Sequence, residues 1–125
     1  MRNEMEPTKV VNYYKDSCKE NEAWYLKGKL HRVDGPAFVL YNKSGNIQYE
    51  AWYFNRKRHR VDGPAYIWYY ESGQIEQEDW YINGNQLNDK IIEYKEWLID
   101  NNLYNKLYNI WTDEEKILWK LTWLY

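Results

Sequence analysis

Aromatic and polar residues alternate along much of the chain. Between Ile47 and Phe54 an extended strand would carry Ile47, Tyr49, Ala51 and Tyr53 on one side and Gln48, Glu50, Trp52 and Phe54 on the other. Aromatic and β-branched enrichment between turn residues predicts that strand and a second over residues 65–70. Asn83-Gly84 is a two-residue hairpin signal, because a type I′ turn needs positive φ at both positions. Lys27-Gly28 and Asn55-Arg56 hold the matching places with weaker turn chemistry. Glu71-Ser72-Gly73-Gln74 predicts a further turn. Asp34-Gly35 and Asp62-Gly63 suit tight turns, and Pro36 and Pro64, which cannot donate to a ladder, mark a corner, bulge or edge. The period then changes. Ile91, Ile92, Tyr94, Trp97, Leu98 and Leu103 form a helical stripe over residues 89–103, with Asn88 or Asp89 as its cap. Thr112-Asp113-Glu114-Glu115 is a capping-box pattern that opens another helix, with Ile117, Leu118, Leu121 and Leu124 on one face and Trp119 and Trp123 adjoining.

These elements repeat. Trp24-Tyr25, Trp52-Tyr53 and Trp80-Tyr81 recur every 28 residues. The seven residues from His31 through Arg32, Asp34, Gly35 and Pro36 to Ala37 recur unchanged from His59 through Arg60, Asp62, Gly63 and Pro64 to Ala65. The third copy departs after Gly84, with Leu87 in place of His and Lys90 in place of Asp, and Tyr13 matches Tyr41 and Tyr69 upstream. The reading is one domain over 1–125, with an N-terminal half-repeat (1–21), a β-repeat body (22–87) and a helical cap (88–125). Its fold class is α+β: an antiparallel β-meander of 28-residue hairpin units, capped by two or three C-terminal helices. Trp24, Trp52 and Trp80 then form a row on one face, and Tyr25, Tyr53 and Tyr81 a row on the other. The helices are expected to pack on the last repeats and close the exposed sheet edge.

Composition narrows the function. The chain has 125 residues with Lys+Arg 17 against Asp+Glu 19, a net charge of -2, which argues against a general nucleic-acid or polybasic membrane binder. Hydrophobic residues make up 44%, yet mean hydropathy is -0.96, because 8 Trp and 14 Tyr supply much of the apolar content. Cys18 is the single cysteine, so there is neither an internal disulfide nor a cysteine metal framework. It reads as a small, partly buried residue. The first ten residues lack the apolar core of a signal peptide, and no stretch is apolar enough for a membrane span, so a cytoplasmic protein is expected.

His31 with Asp34 and His59 with Asp62 could serve acid–base chemistry. There is no nucleophile beside them, a metal site needs three ligands, and the constellation is duplicated. The structural reading is therefore favoured: His and Arg pack on the Trp row, and Arg32 and Arg60 bond Asp or turn carbonyls and fix the corner before Pro36 and Pro64. No catalytic residue, metal or cofactor is expected. Arg56-Lys57-Arg58-His59-Arg60 is the one dense basic run, set in a body where basic and acidic residues balance. With Trp52, Tyr53 and Tyr81 nearby, the partner-binding candidates are Arg56, Lys57, Arg58, Trp52, Tyr53 and Tyr81.

The pattern from Trp24 to Ala37 and from Trp52 to Ala65, with a truncated copy at Trp80 to Gly84, resembles MORN-like repeats. It is closest to the variant carried by large-DNA-virus, phage and bacterial proteins. The resemblance implies a β-hairpin array used as an interaction surface, with no general catalytic set. The expected function is a non-enzymatic protein-interaction module binding a host or self protein. One version is a viral or phage inhibitor that occludes a host defence enzyme such as a nuclease. The alternative is a nucleotide-, nucleic-acid- or small-ligand-binding protein using an aromatic and basic surface. An uncapped N-terminal edge strand also permits a homodimer.

Overall fold

The computed structural model describes residues 6–124. Its strands are β1 (Thr8–Tyr13), β2 (Lys19–Leu26), β3 (Lys29–Leu30), β4 (Phe38–Tyr41), β5 (Ile47–Ala51), β6 (Tyr53–Phe54), β7 (Lys57–Arg58), β8 (Tyr66–Tyr69), β9 (Ile75–Asp79), β10 (Tyr81–Ile82) and β11 (Asn85–Gln86). The main antiparallel sheet runs β1-β2-β4-β5-β8-β9, with β3 on the end of β2. Pairs β6–β7 and β10–β11 are separate small hairpins. Helices α1 (Ile91–Asp100) and α2 (Asp113–Trp119) follow, the latter continued by a π-helical turn over Lys120–Leu124. The fold is α+β, a mostly antiparallel sheet with two C-terminal helices.

The strand expected over Ile47–Phe54 is broken at Trp52. Its N–H still donates to Ala65 O (2.7 Å), but its carbonyl accepts from His59 N (3.1 Å) and so opens a small hairpin. Trp24 does the same, donating to Ala37 O (2.8 Å) and accepting from His31 N (3.0 Å). Each hairpin tip has two residues at positive φ: Lys27 and Gly28 (51° and 79°), Asn55 and Arg56 (49° and 69°), Asn83 and Gly84 (51° and 84°). Arg56 thus holds a conformation that its two counterparts give to glycine, at a cost of about 1 kcal/mol. The connections at the opposite end also recur at one spacing. Tyr14 N to Cys18 O, Asn42 N to Asn46 O and Tyr70 N to Gln74 O measure 2.8, 2.9 and 2.9 Å.

Register sets the two faces. Glu22, Val39, Glu50, Ile67 and Glu78 stand opposite one another in a row across the sheet, two residues from the tryptophans. Tyr41 Oη donates to the Glu22 carboxylate and Tyr69 Oη to that of Glu50. The other face carries Phe38, Tyr49, Tyr53, Tyr66, Trp68 and Tyr81, in keeping with the expected alternation.

The tail departs from expectation in several places. Neither Asn88 nor Asp89 caps α1: Asn88 takes a positive φ of 50° within a short 3-10 turn, and Lys90 occupies the cap with no side-chain bond. The helix stops at Asp100 rather than 103, because Asn102 enters the left-handed region and Leu103 N bonds back to Leu98 O at 2.7 Å. The α2 capping box forms, Thr112 and Glu115 bonding each other's backbone. Its Ile117, Leu118, Leu121 and Leu124 stripe is exposed, however, and Ile92 is exposed on α1. Trp119 turns inward instead, donating to Tyr94 Oη (2.9 Å), which itself donates to Val61 O. The tail buries Val61, Trp80 and Ile82 beneath Tyr94, Leu98, Leu103, Trp111 and Trp119. Among the described residues no strand pairs with the outer side of β9; Lys95 of α1 reaches Glu78, while Ile75, Glu76 and Gln77 stay exposed. Cys18 is exposed rather than partly buried, because it sits on the outer turn that follows β1.

The tail also makes the two identical corners unequal. Val61 is 5% exposed and Val33 65%. The Asp62 side chain is 9% exposed and accepts both Arg60 Nε (2.8 Å) and Tyr108 N (2.8 Å). That of Asp34 is 72% exposed and among the described residues bonds only Arg32, at 3.2 Å. Asp62→Ala is therefore expected to cost about 2–4 kcal/mol, and Asp34→Ala under about 1 kcal/mol. Thermal melts of the two variants check this, and equal losses would contradict it.

Candidate interaction surface

The corners are built from the repeated residues. The Arg32 guanidinium lies 4.0 Å from the Trp24 ring, bonds Asp34, and donates from Nη1 to Pro36 O (3.3 Å). Arg60 repeats this on Trp52 at 3.9 Å, with Asp62 and with Pro64 O at 3.1 Å. A Cβ on Gly35 or Gly63 would stand 2.7 Å from the Arg32 or Arg60 Cζ, so glycine is required for this approach rather than for its φ. His31 Nδ1 accepts from Asn55 N (3.0 Å), and His59 Nδ1 from Asn83 N (2.8 Å). Each histidine thus holds the tip of the following hairpin, and neither bonds an aspartate among the described residues. Arg32 N to Tyr53 O and Arg60 N to Tyr81 O, both 3.1 Å, complete the two junctions. In the third unit Lys95 of α1 lies 5.1 Å from the Trp80 ring and 3.6 Å from Glu78, as Lys9 lies 5.4 Å from the Trp24 ring and 2.8 Å from Glu22.

The basic run does not form one patch. Arg56 and Lys57 stand exposed at the β6–β7 tip. Arg58 turns to the tyrosine face, 4.1 Å from the Tyr66 ring and 5.3 Å from that of Tyr81, and donates to Tyr81 Oη at 3.1 Å. His59 and Arg60 belong to the corner. Of the candidate partner residues, Tyr53, Arg58 and Tyr81 come together, Arg56 and Lys57 lie beyond them at the tip, and Trp52 is on the opposite face.

The cluster around Arg58 is larger than those three. Tyr49 stacks on Trp68 (4.4 Å between ring centroids) and Tyr66 (5.2 Å), and Phe38 adjoins Tyr49 at 6.0 Å. The Tyr53 and Tyr66 hydroxyls share a hydrogen bond of 2.8 Å. Burial, then hydrogen bonding to Tyr66, pushes the Tyr49 hydroxyl far above its ordinary range, so it stays neutral. Most of these rings are half-buried, while Trp68 is 39% and Tyr25 38% exposed. Phe38, Tyr49, Tyr66 and Trp68 were not singled out from sequence. Two-residue alternation carried across the pairing of β4, β5 and β8 would have placed them together.

On the tryptophan side a cleft of about 480 Å³ lies between the corners and the tail, lined among others by Arg32, Trp52, His59, Arg60, Trp119 and Lys120. The Trp52 Nε1 is buried with no hydrogen-bond partner among the described residues, and Glu50, two residues before it, accepts from Tyr69. Among the described residues no group of three or more His, Cys, Asp or Glu could hold a metal, and no helix is long and apolar enough to cross a membrane.

The chain is thus an α+β protein whose sheet presents an aromatic face with an arginine stacked in it. Comparisons with protein-family models, curated proteins and solved structures return no match.

Two kinds of group tie this arrangement to pH. Burial lowers both imidazoles below their ordinary value. The unfolded chain then binds those protons first, so their contribution is complete above about pH 6.5 and is lost as pH falls below it. Burial would raise Glu22, but hydrogen bonds from Lys9, Tyr41 and Lys19 outweigh it and hold the carboxyl at about 2. That contribution is present above the ordinary value of 4.5 and is lost as pH falls toward 2. Melting temperature should therefore drop in two stages on acidification. Replacing both histidines (His31→Asn with His59→Asn), which leaves a non-titrating acceptor, should flatten the upper stage. An unchanged upper stage in that variant would contradict the histidine assignment.

Proposed function

We propose that this chain is a non-enzymatic protein-binding module of MORN-like repeat type. Its partner is a protein held on the tyrosine face, with the β6–β7 tip at the rim. The observation that carries this reading is the contiguous layer of Phe38, Tyr49, Tyr53, Tyr66, Trp68 and Tyr81 with Arg58 stacked in it. Tyr, Trp and Arg dominate the energetic centres of protein interfaces, and a continuous half-exposed patch of them is uncommon on a surface without a partner. Arg56 supports the tip's part: a cation is kept at a left-handed position where glycine would be less strained. The resemblance adds a version in which the partner is a host enzyme that the module occludes, in a virus- or phage-infected cell.

A second reading has one observation in its favour. The cleft beside Trp52, Arg32, Arg60 and Lys120 has the size of a small-ligand site and cations for an anionic ligand such as a nucleotide.

The test is affinity capture from a host lysate with wild-type protein and with Trp68→Ala and Arg56→Gly. Wild type should recover a saturable partner. Trp68→Ala should weaken binding by about tenfold or more. Arg56→Gly should bind less well while melting at the same or a higher temperature, which separates function from stability. Equal capture by all three would reject the tyrosine face. Melting raised by nucleotides, with no partner captured, would favour the cleft.

A further inference from the structure

The outer strands β1 and β9 carry the two halves of a contact that the sheet already makes twice. Between β2 and β4, Glu22 faces Val39 and accepts from Tyr41 Oη. Between β5 and β8, Glu50 faces Ile67 and accepts from Tyr69 Oη at 2.7 Å. Glu78 of β9 is next in the series. The residues that should face it, 28 positions after Ile67 and Tyr69, are Lys95 and Trp97, and these lie on α1. The missing pair stands at the other end of the molecule: Val11 and Tyr13 lie 28 positions before Val39 and Tyr41. One side of β1 pairs with β2, placing Val11 opposite Glu22, and among the described residues no strand pairs with its other side. Tyr13 is 59% exposed, and Ile75, Glu76 and Gln77 of β9 are exposed.

We propose that β1 of a second copy of this chain adds antiparallel to β9, continuing the sheet at its own internal spacing. Val11 of the second copy stands opposite Glu78 and its Asn12 opposite Gln77, as Leu40 stands opposite Asn21 and Trp68 opposite Tyr49. Tyr13 Oη of the second copy donates to the Glu78 carboxylate. Among the described residues that carboxylate has only longer contacts, with Trp80 Nε1 at 3.4 Å and Lys95 Nζ at 3.6 Å. Charge favours this pairing over that of two β9 edges. Strand β9 carries Glu76, Glu78 and Asp79, whereas β1 carries Lys9 and no acid. Two β9 strands side by side would bring like charges together. Glutamates in this row do not block pairing, since Glu22 and Glu50 are already paired there. The contact is heterologous, so each added copy leaves both kinds of edge free and the assembly grows beyond a dimer. It is independent of the tyrosine-face reading, whose failure would leave it intact.

Two measurements on the full chain test the joint. Sedimentation velocity over a concentration series should show trimers and larger species, and Tyr13→Phe should weaken association by roughly tenfold. In a Cys18→Ser background, Asn12→Cys with Gln77→Cys should give a ladder of disulfide-linked oligomers on mild oxidation. If the double variant folds poorly, mixing the two single variants should give a mixed dimer that neither gives alone. A strict monomer at every concentration would overturn the proposal. So would a dimer formed by either single variant alone, or cross-linking no weaker when Ile75→Cys replaces Gln77→Cys.

Discussion

The guanidinium of Arg60, stacked on Trp52 and bonded to Asp62 and Pro64 O, is the contact on which most of the structure depends. It lets the chain leave one strand, form a small hairpin and return as the next strand without stranding polar backbone. The same side chain dictates Gly63, whose missing Cβ is the space the guanidinium fills. It also orients Asp62, which then takes Tyr108 N and draws the tail onto the corner. An Arg-on-Trp stack of this kind contributes on the order of 1 kcal/mol, and its bonds to carboxylate and carbonyl add to that. Beside it, His59 Nδ1 accepts from Asn83 N at the tip of the following hairpin, and Arg60 N donates to Tyr81 O of the same hairpin.

The chain applies this device twice and then changes it. The third unit lacks the histidine, arginine and aspartate, and the chain leaves the sheet there for the helical tail, from which Lys95 reaches Trp80. Identical corners then acquire different roles: one is sealed under Tyr94, Trp111 and Trp119, and the other faces solvent with Val33 and Asp34 exposed. The tyrosine face is untouched by this, since the tail packs on the opposite side.

Much of the fold was legible because its signals are local. Asn83-Gly84 marked a turn, Thr112 and Glu115 marked a helix start, and the 28-residue identities placed Trp24, Trp52 and Trp80 in one row. The misreadings came from contacts distant in sequence. Nothing near Trp119 shows that an indole will fill the gap between His59 and Tyr94, so the Leu121 stripe looked like the buried one. The break at Trp52 follows from its carbonyl turning to His59 N, which strand propensity does not report. The basic run looked like one patch because five residues adjoin in sequence. A two-residue period would keep Arg58 and Arg60 on one side; they part because β7 ends at Arg58 and each arginine stacks on an aromatic ring of a different face.

The central claim is that imidazole acceptors clamp the second and third hairpin tips to the unit before them. Amide hydrogen exchange read residue by residue at neutral pH tests it most directly. Asn55 and Asn83 sit at exposed tips yet donate to His31 and His59, whereas Lys27, at the matching tip, has no histidine 24 residues before it. The account predicts slow exchange at Asn55 and Asn83 and fast exchange at Lys27. Exchange at Asn55 and Asn83 as fast as at Lys27 would contradict it.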